Sequence, residues 1–378
     1  MSVRDLADYP WDAVVPFRER AERHQDGLID LSVGSPVDPT PEIIRRALAE
    51  ATDAHAYPQT VGTPTLREAI VDWYARRRGV PDLRVDNVLP TIGSKELVAL
   101  LPTLLGLGAG DIVVHPRVAY PTYEVGARVV GATPLPADDP QDWPEGTKLI
   151  WINTPGNPDG RTWTVDELAA AVSRARELGA VLASDECYAE LGWDGEWATE
   201  PIPSILDPRV TAGSRANLLS VYSLSKQSNL AGYRAAFVAG CARIVGELLT
   251  ARKHLGLMPP APVQHAMAVA LGDDEHVAVQ KELYRTRRDA LRPALEAAGF
   301  RIEGSEAGLY LWATEGRDAW ESMARLADLG ILAGPGPFYG ADSAQHVRLA
   351  LTAPTAHVRE AARRLSATDM ATDMATDM

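Results

Sequence analysis

Residues 148–188 read KLIWINTPGNPDGRTWTVDELAAAVSRARELGAVLASDECY. Two apolar runs, Lys148-Leu-Ile-Trp-Ile and Ala180-Val-Leu-Ala-Ser, flank a helical stretch, Val165–Leu178. Short β-rich runs bounded by turn residues fit strands buried on both faces. A helix between them makes the connection a βαβ crossover. The alternation continues outward. Upstream, Val88-Leu-Pro-Thr-Ile and Asp111-Ile-Val-Val-His read as strands, and residues 95–105 and 122–131 as helices. Downstream, Asn217-Leu-Leu-Ser-Val-Tyr and Ala235-Ala-Phe-Val-Ala-Gly read as two more strands. The pattern predicts an α/β fold on a mostly parallel sheet. Such sheets bind ligands at the C-terminal ends of their strands.

Before this core, Thr40 and Pro41 cap a helix over 42–51, a Pro/Gly/Thr-rich stretch covers 57–65, and a helix covers 65–78. After it come a long helical region, 264–298, and short β and α runs from Phe300 to Leu351. A length of 378 residues fits two domains. The expected large domain is 38–270. The expected small α+β domain combines 1–37 with 271–366. Ala-Thr-Asp-Met repeats three times over 367–378 and is expected to be a disordered tail.

Composition narrows the function. Hydrophobic residues are 46% and charged residues 23%, enough for a large core. The net charge of −14 offers no footprint for nucleic acid or an anionic membrane. Two cysteines, Cys187 and Cys241, cannot build a disulfide framework and fit a reducing compartment. The N-terminus lacks the apolar stretch of a secretory signal, and the longest apolar run, 97–110, is too short to span a bilayer. A cytoplasmic protein is expected. Only five lysines occur, at 95, 148, 226, 253 and 281, so an amine nucleophile has few candidates.

Several motifs fall at predicted strand ends. Ser223-Leu-Ser-Lys226 places a lysine where burial can lower its pKa toward a reactive amine. The Ser-x-x-Lys of serine β-lactamases needs Ser-Asp-Asn and Lys-Thr-Gly downstream, and neither occurs. Asp185, in Ser184-Asp-Glu-Cys-Tyr188, can pair with a buried cation or cap a helix. Asn153-Thr-Pro-Gly-Asn157-Pro-Asp-Gly is either turn chemistry or a ligand contact through Asn157. Gly93-Ser94-Lys95 opens a helix, whose free amides can hold an anion. Arg234 can grip phosphate with a bidentate fork. Tyr120, before Pro121, can stack on a flat ring. Arg348, between apolar residues, is expected to be partly buried and to need an anion, by default a structural salt bridge.

In this order and spacing the motifs resemble the class I/II aminotransferases, the fold-type I pyridoxal phosphate (PLP) enzymes, across residues 28–366. The resemblance implies a seven-stranded, mostly parallel sheet between helices, with a smaller α+β domain. It implies that Lys226 binds PLP covalently and then shuttles the substrate Cα proton, and that Asp185 keeps the pyridinium nitrogen protonated. Tyr188 and Asn157 would bond the phenolic oxygen, and Tyr120 would stack on the ring. Gly93, Ser94, Lys95, Ser223 and Arg234 would hold the phosphate, joined by Tyr57 from a partner subunit of a homodimer. Arg348 resembles the arginine that grips the substrate α-carboxylate, and Gly34 the glycine that closes over substrate. No metal is implied.

Within the family, strings such as Asp30-Leu-Ser-Val-Gly-Ser-Pro, Ala251-Arg-Lys-His and Glu306-Ala-Gly-Leu-Tyr-Leu-Trp-Ala are similar to the succinyldiaminopimelate aminotransferases. That implies ping-pong transfer between N-succinyl-LL-2,6-diaminopimelate and 2-oxoglutarate, in lysine and diaminopimelate biosynthesis. Arg252, Lys253 and His254 are then candidates for the substrate's distal carboxylate, or simple helix-surface residues. Aspartate, alanine or aromatic aminotransferases and PLP-dependent carbon–sulfur lyases share the cofactor residues and remain alternatives. A PLP-binding regulator is disfavoured, because no basic DNA-binding extension precedes Leu28 and the net charge is −14.

Overall fold

The computed structural model describes residues 10–376. Seven strands form the central sheet: β1 (Val88–Ile92), β2 (Ile112–His115), β3 (Thr133–Pro136), β4 (Thr147–Asn153), β5 (Val181–Asp185), β6 (Leu218–Ser223) and β7 (Ala235–Gly240). Their spatial order is β1-β7-β6-β5-β4-β2-β3. The pairs β6/β5, β5/β4, β4/β2 and β2/β3 are parallel, and only β7 runs against its two neighbours. The fold is therefore α/β with a mostly parallel sheet, as the sequence pattern predicts, and its seven strands are those the resemblance implies.

Both faces of the sheet are covered, which is why its strands read as unbroken apolar runs. Ile150, Ile152, Leu182 and Phe237 pack on one side against helices Glu42–Glu50, Pro64–Arg77, Val165–Leu178 and Ala261–Gly272. Leu149, Trp151, Ala183 and Val238 pack on the other against Ser94–Leu104, Thr122–Val129 and Ala242–Leu255. Residues one apart point to opposite faces, so each strand feeds two cores.

Two details depart from the sequence reading. β3, Thr-Pro-Leu-Pro, has no apolar run and two prolines without a donor, which fits its place at the sheet edge. The helical region 264–298 is two helices, Ala261–Gly272 and Glu275–Ala297, broken at Asp273 and Asp274.

A second core surrounds a four-stranded antiparallel sheet of Arg301–Ile302, Tyr310–Thr314, His346–Ala350 and Gly334–Pro335. Ile29–Asp30 pairs in parallel with Ile331–Leu332, so the N-terminal arm lies against the C-terminal segment. Of that arm, residues 1–9 lie outside the described residues. The last helix, Thr355–Thr376, extends into the Ala-Thr-Asp-Met repeat, where a disordered tail was expected; residues 377–378 lie outside the described residues. Among the described residues, no helix is long and apolar enough to cross a membrane.

One buried ion pair fixes a helix that bears on the site. Arg252, fully buried on Ala242–Leu255, donates to Glu96 at 2.7 and 3.0 Å. Glu96 stands in the first turn of Ser94–Leu104. Removing one member of a buried pair strands the other charge. Glu96→Ala should therefore lower unfolding free energy by about 3 kcal/mol, measured by urea denaturation. Loss of less than about 1 kcal/mol would refute the structural role given to the pair.

Candidate active site

Three adjacent parallel strands end on polar residues. Asn153 ends β4, Asp185 ends β5 in register with it, and Ser223 ends β6. After β6 the chain turns through Ser223-Leu-Ser-Lys226, and Ser223 Oγ lies 2.8 Å from Ser225 Oγ.

Asp185 is buried. It accepts from the Tyr123 hydroxyl at 3.0 Å and from the Cys187 N–H at 3.2 Å. Asn153 holds its backbone, donating to the Asp185 carbonyl at 2.9 Å. Among the described residues it pairs with no Lys, Arg or His. Burial pushes the carboxyl above its usual value, against the hydrogen bonds from Cys187 and Tyr123. A carboxyl in that state has capacity for one cationic partner.

Lys226 Nζ donates to the Gly34 carbonyl. Burial pulls its ammonium below the ordinary value, and the Arg348 and Arg234 charges act in the same direction. The amine is thereby moved toward its neutral, nucleophilic form. Gly34 has no room for a side chain, since a Cβ there would overlap the Tyr310 hydroxyl. Tyr310 Oη lies 3.2 Å from Tyr188 Oη. Burial favours the neutral phenol, yet the Arg348 and Lys226 charges hold Tyr310 below its ordinary pKa.

Arg348 is buried on His346–Ala350. It donates to Asn157 Oδ1 at 2.9 Å and to the Ser32 carbonyl at 2.7 Å. Its Nε has no partner, and its guanidinium carbon sits 3.9 Å from the centre of the Tyr310 ring and 5.0 Å from that of Tyr339. No carboxylate among the described residues pairs with it, so the default of a structural salt bridge does not hold. A buried cation held only by neutral oxygens and ring faces is a receptor for an incoming carboxylate.

A second set of donors gathers at the start of Ser94–Leu104. Gly93, the N-cap at φ 75°, receives the Arg234 guanidinium where a Cβ would stand, and its N–H donates to the Arg234 carbonyl at 2.7 Å. The helix's free amides, the exposed Arg234 fork and the Ser223 hydroxyl together suit a phosphate dianion. Lys95 Nζ lies 5.8 Å from the centre of the Tyr120 ring, which stands edge-on to Tyr123 at 5.9 Å.

The structure thus joins Lys226, Gly34, Tyr188, Asn157 and Arg348 in one contact chain, and Gly93 with Arg234 in another. Tyr57 stands apart, 96% exposed. Arg252 is consumed by Glu96, which corrects its candidacy for a distal carboxylate; Lys253 and His254 are exposed. Sequence reasoning gave no role to Tyr310, Tyr123 or Ser225. Strand alternation puts Tyr310 on one face with Trp312, but only the strand register shows that Trp312 stands opposite Arg348. Among the described residues, no cluster of three or more His, Cys, Asp or Glu side chains can hold a metal.

The chain matches the family described as Aminotransferase class I and II over residues 26–365. It is 51% identical over 365 residues to 4-dedimethylamino-4-oxo-anhydrotetracycline transaminase OxyQ of Streptomyces rimosus, covering 96% of this chain and 100% of that protein. It is 35% identical to LL-diaminopimelate aminotransferase of Aquifex aeolicus, covering 92% and 94%. A solved structure of a probable N-succinyldiaminopimelate aminotransferase from Thermus thermophilus aligns at TM-score 0.83 and 29% identity, covering 95% and 100%.

The raised pKa of Asp185 has a measurable consequence. A carboxyl whose folded pKa exceeds its unfolded one destabilises the fold above the unfolded value, about 3.9, and contributes nothing below it. Asp185→Asn keeps an acceptor for Cys187 and lets the Tyr123 hydroxyl accept instead of donate. The cofactor-free variant should melt above the wild type at pH 7, and the gap should close as pH falls toward about 4. A gap that widens on acidification would contradict this.

Proposed function

The chain belongs to the class I and II aminotransferases, which act with PLP, and we propose that it transfers the amino group of N-succinyl-LL-2,6-diaminopimelate to 2-oxoglutarate. The observation that carries the reading is Arg348, a buried cation with no carboxylate partner among the described residues, standing within the contact chain of a lysine that burial makes more nucleophilic.

The residues present fit the cofactor. Gly93 leaves the space that the Arg234 guanidinium fills, beside the helix amides of Ser94 and Lys95 and the Ser223 hydroxyl, and these would hold the phosphate. Asp185 would hold a proton on the pyridine nitrogen, whose charge would supply the cationic partner that Asp185 lacks among the described residues. Tyr188 and Asn157 would bond the phenolic oxygen, and Tyr120 would cover the ring. Tyr57, exposed in one protomer, would reach the phosphate of a partner subunit in a homodimer. When bound, PLP supplies the electron-withdrawing ring that lets a Cα–H bond of an amino acid break.

The chain's own residues then divide the work. Arg348 binds the α-carboxylate with its fork and fixes the orientation of Cα. Lys226 Nζ takes the proton from Cα, and burial, by lowering the pKa of its ammonium, favours the neutral amine that this requires. Gly34 leaves the space above substrate open to the Tyr310 hydroxyl and keeps a side chain out of it. Two free, buried cysteines accord with a cytoplasmic setting.

The LL-diaminopimelate aminotransferase relative and the N-succinyldiaminopimelate aminotransferase structure support the substrate class. The 51% identity to the tetracycline-pathway transaminase favours a second reading, a polycyclic ketone as the amino acceptor. Arg348 serves both, because either reaction needs an α-amino acid as one partner.

The test adds each donor alone to PLP-loaded enzyme and follows loss of the cofactor's absorbance: N-succinyl-LL-diaminopimelate, glutamate, aspartate, alanine and phenylalanine. Fast loss with the first two is expected. Fast loss with glutamate but none with the succinylated compound would discard the named substrate and turn the search to ketone acceptors. Lys226→Ala should abolish turnover. Arg348→Ala should lower kcat/KM about 100-fold with cofactor still bound; cofactor loss alone would contradict the role given.

A further inference from the structure

Helix Glu275–Ala297 presents three polar side chains at intervals of four residues, so they share one face. All three touch the loop that carries Lys226. His276 Nε2 lies 2.8 Å from Ser228 Oγ, and its Nδ1 lies 2.6 Å from Asp273. Tyr284 donates its hydroxyl to the Lys226 carbonyl at 3.2 Å. Gln280 Oε1 accepts from Asn229 Nδ2 at 2.7 Å. Gln280 and Tyr284 are buried, and Asn229 sits in the left-handed region at φ 53°.

Gln280 also faces the other way. Its Nε2 donates to Asp38 Oδ2 at 2.9 Å, and Arg287 of the same helix donates to that oxygen at 2.8 Å. Asp38 lies four residues after Gly34, whose carbonyl holds the Lys226 amine. Thr40 Oγ1 closes the ring by donating to the Asn229 carbonyl at 3.1 Å. The lysine is therefore held at both ends of one circuit, its amine through Gly34 and its loop through Asn229. Gln280 is one side chain that joins the two, beside Thr40 and Asn229 itself, which also donates to the Pro39 carbonyl at 3.3 Å.

We propose that Gln280 is a positioning residue for Lys226, joining the arm of Gly34 and Asp38 to the loop of Asn229 so that the lysine amine keeps its place relative to substrate. This rests on the reading of Lys226 as the reactive lysine. A buried carboxamide suits the task because it offers a donor to a carboxylate and an acceptor to an amide at once, which no single charged or apolar side chain does. Misplacement of a reacting group by a fraction of an ångström to an ångström costs rate without requiring loss of binding.

The experiment uses PLP-loaded enzyme. Gln280→Glu keeps the acceptor for Asn229 but sets two carboxylates face to face at Asp38. It should lower kcat about tenfold, leave donor KM within about twofold and alter the circular dichroism of the bound cofactor. Adding Asp38→Asn restores a donor opposite the new carboxylate, and should recover kcat and the cofactor band. A variant with wild-type kcat and band overturns the proposal, as does a loss that Asp38→Asn fails to repair. If Gln280→Glu does not fold, Gln280→Met, which removes both hydrogen bonds without adding charge, is read the same way: an unchanged kcat and band overturn the proposal. Lys226→Ala is the control. Activity retained there sinks the reading of Lys226, whereas an inactive Lys226→Ala beside an unaffected Gln280 series sinks only the positioning role.

Discussion

A guanidinium buried without a counter-ion organises this site. Taking Arg348 out of water costs several kcal/mol, and among the described residues that is offset by the Asn157 and Ser32 oxygens and two tyrosine faces, with no carboxylate. Its charge acts on Tyr310, Tyr339 and Lys226. The same charge that helps hold Tyr310 below its ordinary pKa helps lower that of Lys226. The perturbations of Tyr310 and Lys226 are thus not independent adjustments. They share one uncompensated positive charge, which an incoming carboxylate would neutralise.

The position of that charge depends on both halves of the chain. Arg348 stands on the C-terminal antiparallel sheet, Ser32 on the N-terminal arm, and Asn157 on the loop after β4. The central sheet in turn presents Asn153, Asp185 and Ser223 on neighbouring strand ends. A parallel sheet places equivalent strand ends side by side, so three residues far apart in sequence reach one rim with little loop between them. Close approach does the rest: Gly93 and Gly34 are needed where they stand because the Arg234 guanidinium and the Tyr310 hydroxyl occupy the space of their missing side chains.

The sheet was legible because its strands are buried on both faces, and double burial leaves unbroken apolar runs between helices. β3 was not, because an edge strand of Thr-Pro-Leu-Pro carries neither apolar run nor alternation. The break at Asp273 and Asp274 was hidden by helical patterning on both sides. For the site, residues with distinctive chemistry at strand ends, such as Lys226 and Asp185, could be picked out one by one. Tyr310 and Tyr123 could not, since a tyrosine in an apolar run looks like core until its hydroxyl's partner is known. Arg252 was open to the opposite error. A cation in a basic string looked available, and only the distance to Glu96 shows it is spoken for.

The proposed division of roles also separates binding from chemistry. An interaction equally strong in ground and transition states lowers KM without raising kcat, whereas one that strengthens along the reaction raises kcat. The bond from Arg348 to a carboxylate belongs mainly to the first kind, because the carboxylate keeps its charge throughout. The proton moved by Lys226 and the charge held by Asp185 belong to the second, because both change as the Cα–H bond breaks. Every α-amino acid brings the same carboxylate to Arg348, so that contact fixes orientation for all donors alike. Discrimination among them must come from groups that touch the remainder of the substrate. A contact shared by all donors does not tell apart substrates as unlike as the diaminopimelate and the anhydrotetracycline that the names of two relatives record.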